Sequence, residues 1–137
     1  MTTAPPSPLS IATIAILGLI NVGRGAIHVF APDGGLKMIA GLDTAAAPEV
    51  ALSLIGGVGA GQLTFALVDF LVVFGQPMLI RPLLLIHTVQ LLLTVFLLFV
   101  WRPMPQDIPG QWGALGALVI VSFIAAREIS RKNHVAA

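Results

Sequence analysis

The stretch Ile80–Trp101 reads IRPLLLIHTVQLLLTVFLLFVW, and it decides the fold class. A helix needs about 20 mostly apolar residues to cross the ~30 Å hydrocarbon core of a bilayer. Three other stretches meet the same requirement, namely Leu9–Phe30, Val50–Phe74 and Trp112–Ile129. We therefore predict an all-α integral membrane four-helix bundle with up-down-up-down order, which forms a single transmembrane domain over residues 1–137 with a polar tail at 130–137.

Turn-forming residues support these boundaries. Pro5, Pro6 and Pro8 precede the first helix, Gly75-Gln76-Pro77 separates the second from the third, and Pro103, Pro105 and Pro109 precede the fourth. No Lys or Arg precedes the apolar core of the first helix, whereas a signal peptide carries its positive charge there. We therefore expect the first helix to be retained.

The composition excludes several classes of protein. Hydrophobic residues make up 57% of the chain and charged residues 9%, against about 25% charged in soluble domains, and the mean hydropathy is +0.98. The net charge of +1 gives no reason to expect nucleic acid as a partner. With no cysteine, the chain has no disulfide, thiolate metal site or cysteine nucleophile.

The distribution of Lys and Arg predicts the orientation. With four spans, Arg81, Arg127, Arg131 and Lys132 share one side, and Lys37 and Arg102 lie on the other. The positive-inside rule then places both termini in the cytoplasm. We expect a multi-pass protein of the bacterial inner membrane.

Polar residues inside the apolar stretches define the candidate site, because ionisable groups in hydrocarbon are costly and normally face the bundle interior. Three predicted helices carry one polar stripe each: Asn21, Arg24 and His28; Gln62 and Asp69; His87, Gln90 and Thr94. Residues three, four or seven apart share a helix face. A rise of 1.5 Å per residue places Asp69 and His87 both roughly 10 Å from the cytoplasmic edge.

The stripes predict three polar layers in the bundle. Asp69 and His87, with Gln90, are candidates for a proton relay at the inner level. An amide and hydroxyl cluster is expected in the middle, and an Arg24–His28 layer outside, with Glu49 as the nearest acid. The ligand-binding candidates are Asn21, Arg24, His28, Glu49 and Gln62. A structural interpretation stays open, because interhelical hydrogen bonds also hold membrane helices together at ~0.6 kcal/mol each.

Glycines begin the second helix, and Gly57 and Gly61 form a pair of small residues four apart that lets a neighbouring backbone approach closely. We expect them to pack helices, within the chain or in an oligomer. They also lie level with Arg24, whose guanidinium could grip an anionic head group bidentately. Leu36–Ala40, in the long loop that follows the first helix, is predicted to form a short interfacial helix over this layer.

Catalytic residues stay unknown. His28 and His87 differ in depth by about 15 Å, which excludes one haem bound between them, although a haem with a single histidine ligand stays open. No cluster has the three or four ligands of a zinc site, so we predict no metal. No nucleophile motif is present.

The layout resembles the small four-helix bacterial membrane proteins of the DoxX-like type. The resemblance rests on the Pro32–Gly35 loop after the first helix, the glycine-rich Gly56–Gly61 segment and the short turn before Arg81. It implies an accessory or ligand-binding role, as a homo-oligomer or within a larger membrane complex, and it transfers no catalytic residue. A membrane enzyme for a lipophilic substrate and a dimeric proton-linked transporter are the alternatives.

Overall fold

The structure, a computed structural model, describes residues 5–103 and 107–135, with side chains up to Arg131. The helices are α1 (Pro8–Phe30), α2 (Pro48–Gly75), α3 (Ile80–Phe96) and α4 (Pro109–Val135). A 3-10 turn, Pro77–Leu79, precedes α3, and a π-helical turn, Leu97–Trp101, follows it. In the part of the chain that the structure describes, four segments are long and apolar enough to cross a membrane. The all-helical class is confirmed, and these segments fit a small multi-pass membrane protein.

Local sequence explains where the helices begin. Ser7 caps α1, because its hydroxyl accepts a hydrogen bond from the Ser10 backbone N–H at 3.2 Å. Pro8 and Pro48 occupy first-turn positions, where the missing N–H of proline costs nothing. The predicted boundaries hold to within a few residues except at the end of α4. That helix continues through Val135, six residues beyond the predicted end, and residues 136–137 of the predicted tail lie outside the described residues.

The helices pack most extensively as two pairs, α1 with α2 and α3 with α4. Apolar side chains from all four helices form one buried cluster, which we call the dry core: Ile14, Val72, Ile80, Leu83, Leu84, Val121, Ile124 and Ala125. This cluster occupies only one half of the bundle.

Two sets of contacts identify the opposite ends of the bundle. At one end, Ser10 of α1 and Arg81 of α3 both bind Glu128 of α4. At the other, the Arg24 guanidinium lies 3.7 Å from the position that a Cβ at Gly110 would occupy. We call these the Glu128 end and the Arg24 end. The dry core lies next to the Glu128 end.

The closest approach of two helices in the described bundle involves glycines other than the predicted pair. A Cβ at Gly25 would lie 2.8 Å from the Gly59 carbonyl oxygen, and a Cβ at Gly59 would lie 2.7 Å from His28 Cβ. Gly57 and Gly61 have no neighbouring atom within 4 Å of such a position and are exposed. The prediction that they pack helices within the chain is wrong, because they lie on the outer face of α2. A contact of this face with another chain stays a prediction.

We predict that Gly59→Ala destabilises the protein and that Gly57→Ala does not. The methyl group at position 59 overlaps His28 and the Gly25 backbone, and overpacking of this kind costs about 1–3 kcal/mol. The methyl group at position 57 enters open space and improves helix propensity. The free energy of unfolding in mixed micelles measures both effects. Equal stabilities of the two variants would contradict the glycine contact.

Candidate functional site

Asp69 and His87 form the polar centre of the bundle. Asp69, on α2, is 0% exposed, and His87, on α3, is 2% exposed. The His87 Nε2 atom lies 2.7 Å from the Asp69 Oδ1 atom, so the two groups share a hydrogen. The structure thus brings together the two residues that the hairpin geometry placed at one level. Their role as a proton relay stays a prediction.

The surroundings of this pair are tight and largely apolar. The Phe65 ring packs against the His87 ring with centroids 5.7 Å apart. On the other side, Gly18 of α1 leaves room for Asp69, since a Cβ at Gly18 would lie 3.2 Å from both Asp69 Cβ and the Phe70 ring. The second oxygen of Asp69, Oδ2, is buried and has no hydrogen-bond partner among the residues described. The carboxyl group is therefore only half satisfied.

The predicted middle cluster is not connected by hydrogen bonds. The Thr94 hydroxyl donates to the Gln90 backbone carbonyl of its own helix at 2.9 Å. In residues 5–103 and 107–131, the side chains of Asn21, Gln62 and Gln90 form no hydrogen bond, and the Gln62 Oε1 atom is buried without a donor. The sequence predicts these residues on interior helix faces, but in the described structure their side chains form no hydrogen bonds with one another.

Glu49, the acid predicted to lie nearest to Arg24, does not pair with it in the described structure. Arg24 and Glu49 are both exposed, and neither forms an ion pair there. The Arg24 guanidinium lies instead beside Gly110, at the beginning of α4. Whether Arg24 binds an anionic head group stays a prediction.

His28 and Asp33 organise the loop after α1. The His28 Nδ1 atom lies 2.7 Å from the Gly34 carbonyl oxygen, and the Asp33 carboxylate accepts hydrogen bonds from the backbone N–H groups of Met38, Gly35 and Lys37. These N–H groups, that of Met38 most of all, lower the pKa of Asp33 below its ordinary value of 3.8.

The same loop explains its glycines. Gly34, Gly35 and Gly41 have φ values of 60°, 75° and 65°, which favour glycine. Residues 32–40 form consecutive turns and no regular helix. The prediction of a short helix at Leu36–Ala40 is therefore wrong. The loop is held by its own hydrogen bonds, and the His28 side chain of α1 contributes one of them.

Glu128, which the polar stripes of the sequence did not indicate as a site residue, is a second buried acid and is 2% exposed. Its Oε2 atom accepts hydrogen bonds from the Ser10 hydroxyl at 2.7 Å and the Ser7 backbone N–H at 3.2 Å. Its Oε1 atom accepts a hydrogen bond from Arg81 Nε at 3.2 Å, and Arg81 Nη2 lies 3.1 Å from the same oxygen. Arg131 Nη1 approaches Oε2 at 3.5 Å. Glu128 thereby joins α1, α3 and α4.

A periodic signal could have identified this residue. Ala114, Val121 and Glu128 are seven residues apart and all three are buried, so they lie on one face of α4. The boundary predicted at Ile129, together with the neighbouring Arg127 and Arg131, made Glu128 look like part of an exposed polar end.

The remaining buried polar group of note is Gln111, near the beginning of α4. Its Nε2 atom donates to Asp107 at 3.3 Å, and its Oε1 atom has no partner in the described part of the chain. Among the described side chains, no three His, Asp or Glu residues lie close enough together to bind a metal ion.

Comparisons of the chain with models of protein families, with curated proteins and with solved structures give no match. The geometry of the two buried acids, Asp69 and Glu128, is therefore the feature of the chain that bears on its function.

We predict that Glu128→Ala lowers the free energy of unfolding by about 1–3 kcal/mol, since it leaves the buried donors of Ser10 and Arg81 without an acceptor. Arg127→Ala is the matched control, because Arg127 is the adjacent residue on α4 and is exposed. Unfolding in mixed micelles compares the two. If Glu128→Ala were no less stable than Arg127→Ala, the carboxylate would not be holding the three helices together.

Proposed function

We propose that the protein is a small accessory or ligand-binding membrane protein whose functional centre is the Asp69–His87 pair, and that the ligand of this centre is a proton. The observation that carries the proposal is the unpartnered Oδ2 atom of a carboxyl group that is 0% exposed within the candidate membrane spans. A buried acceptor without a donor costs about 1–3 kcal/mol, and more when it is charged. Such costs are characteristic of functional sites.

The two buried acids of this chain provide an internal comparison. Both oxygens of Glu128 are hydrogen-bonded, and two guanidinium groups lie within 3.5 Å of them. Hydrogen bonds from Ser10, from Ser7 and from the permanently charged Arg81 favour the ionised form of Glu128, which suits a structural role. Asp69 contacts one histidine, whose own charge depends on its protonation.

This difference makes the Asp69–His87 pair able to change its proton content. With one proton between Oδ1 and Nε2 and a second on Nδ1, the pair is formally neutral in total. Removing one of these protons leaves one negative charge, and adding a third, on the carboxyl group, leaves one positive charge. No lysine or arginine forms an ion pair with Asp69 in the described structure, so no permanent charge fixes one of these states. A pair of this kind can take up and release a proton.

The ¹⁵N NMR spectrum of His87 tests the proposal. We expect the signals of its ring nitrogens to change reversibly over the pH range in which the protein stays folded, and we expect Asp69→Asn to alter that change. The signals are assigned by their loss in His87→Gln. Signals that stay constant over this range would show a fixed structural pair, and an identical response in Asp69→Asn would show that Asp69 takes no part.

We also propose the up-down-up-down order and a cytoplasmic location of both termini in a bacterial inner membrane. The contacts of Ser10 with Glu128 and of Arg24 with the Gly110 region support antiparallel α1 and α4. Arg81, Arg127 and Arg131 lie at the Glu128 end, and the excess of positive charge favours that end for the cytoplasmic side. The DoxX-like resemblance agrees with an accessory role.

A further inference from the structure

All three of the buried side-chain oxygens that lack a donor in the described structure lie on one side of the dry core. They are Asp69 Oδ2, Gln62 Oε1 and Gln111 Oε1. Gln62 precedes Asp69 by seven residues on α2, and Gln111 lies near the beginning of α4, ten residues before Val121 of the dry core. Within the described side chains, the half of the bundle toward the Glu128 end holds no such atom.

Asn21 and Gln90, two polar residues of the spans that form no side-chain hydrogen bond in the described structure, lie on the same side of the dry core. Asn21 lies three residues beyond Gly18, which packs on Asp69, and Gln90 lies three residues beyond His87. Both displacements run about 4.5 Å toward the Arg24 end. On the opposite side of the pair come Ile14 and Leu84, each 0% exposed. Asp69 and His87 thus lie between the dry core on one side and polar side chains without hydrogen-bond partners on the other.

We infer that the Asp69–His87 pair exchanges its proton with water from the Arg24 end only, along a hydrated path lined by Asn21, Gln62 and Gln90. This inference rests on the proposed function and adds the side of entry and the residues of the path. Buried waters characteristically bind polar groups that have no protein partner. Gln62 and Asp69 are separated by about 10 Å along α2, a gap that about three hydrogen-bonded waters span.

The exchange is a proton transfer with no other bond change. A hydronium ion at the Arg24 end passes its excess proton along the hydrogen-bonded waters to Oδ2, where an O–H bond forms and every water of the path is left neutral. The reverse step returns the proton to water at the same end. Toward the Glu128 end, the dry core offers no hydrogen-bonding side chain to hold water, so that direction is closed.

Cysteine accessibility tests the path, because the chain has no native cysteine. Methanethiosulfonate reagents modify the thiolate, which forms only where water is present. Gln62→Cys and Gln90→Cys probe the path. Thr64→Cys and Val89→Cys are matched controls, since these positions lie at similar depths on the same helices but are exposed on the outer surface. Leu84→Cys probes the dry core.

Two positions at opposite ends of the bundle mark the sides, Thr44 in the loop before α2 and Met78 in the 3-10 turn before α3. Thr44→Cys reports the side of the Arg24 end, and Met78→Cys reports the side of the Glu128 end. A membrane-impermeant cationic reagent is applied to intact bacterial cells and to inverted membrane vesicles. With cytoplasmic termini, Thr44→Cys reacts in cells and Met78→Cys reacts in vesicles. The opposite result would overturn the orientation.

We expect Gln62→Cys and Gln90→Cys to react at least tenfold faster than their matched controls, and only from the side on which Thr44→Cys reacts. Leu84→Cys should be unreactive from both sides. Rates at 62 and 90 no higher than those at 64 and 89, or reaction from the Met78 side, would overturn the path. If only the cysteine rates fail, the path is overturned and the pH response of His87 still supports the proton site. If the His87 spectrum is constant, the proton site itself is overturned.

Discussion

A carboxylate inside a membrane-spanning bundle has to find its hydrogen-bond donors within the chain, because hydrocarbon supplies none. This constraint determines how the four helices are joined. Glu128 meets it completely, with donors from the start of α1, from Arg81 of α3 and from Arg131 of its own helix. In the described structure, Asp69 has a hydrogen-bond partner, His87, for only one of its two oxygens. The two acids connect the α1–α2 pair with the α3–α4 pair, at positions where apolar packing alone gives membrane helices no hydrophobic driving force to associate.

Close contact between the backbones of α1 and α2 leaves room for the buried side chain of Asp69. Gly18 has no side chain where Asp69 lies, and Gly25 and Gly59 bring α1 and α2 together further along the same interface. Each of these glycines is therefore tied to a specific neighbour, unlike Gly57 and Gly61, which face outward. Hydrogen bonds within the loop, from the Asp33 and His28 side chains, fix the end of α1. This loop and the Gly25–Gly59 contact together hold α1 where Gly18 lies against Asp69.

The sequence predicted what depends on length and regular spacing. The four spans follow from apolar runs, and the Asp69–His87 contact follows from two residues nearly equidistant from a short turn. The residues that it did not predict depend on helix rotation and side-chain reach. Gly59 rather than Gly57 forms the α1–α2 contact because the rotation of α2 is set by packing, and the long Arg24 side chain lies beside Gly110 without pairing with Glu49. Glu128 was hidden by its exposed arginine neighbours, although its seven-residue spacing from Val121 places it inside.

The positions of the two acids also limit the kind of function that a proton at Asp69 can serve. The dry core, with Ile14 and Leu84 at 0% exposure, separates Asp69 and His87 from the Glu128 end. In the proposed path, a proton that enters from the Arg24 end reaches the pair and returns by the same route. Conduction across the membrane would require a second arrangement in which this core opens, and opening would also strain the Glu128 contacts between α1, α3 and α4. A bundle that took up a proton at Asp69 in the arrangement described would hold it without transporting it, which favours the proposed accessory role over that of a self-contained transporter.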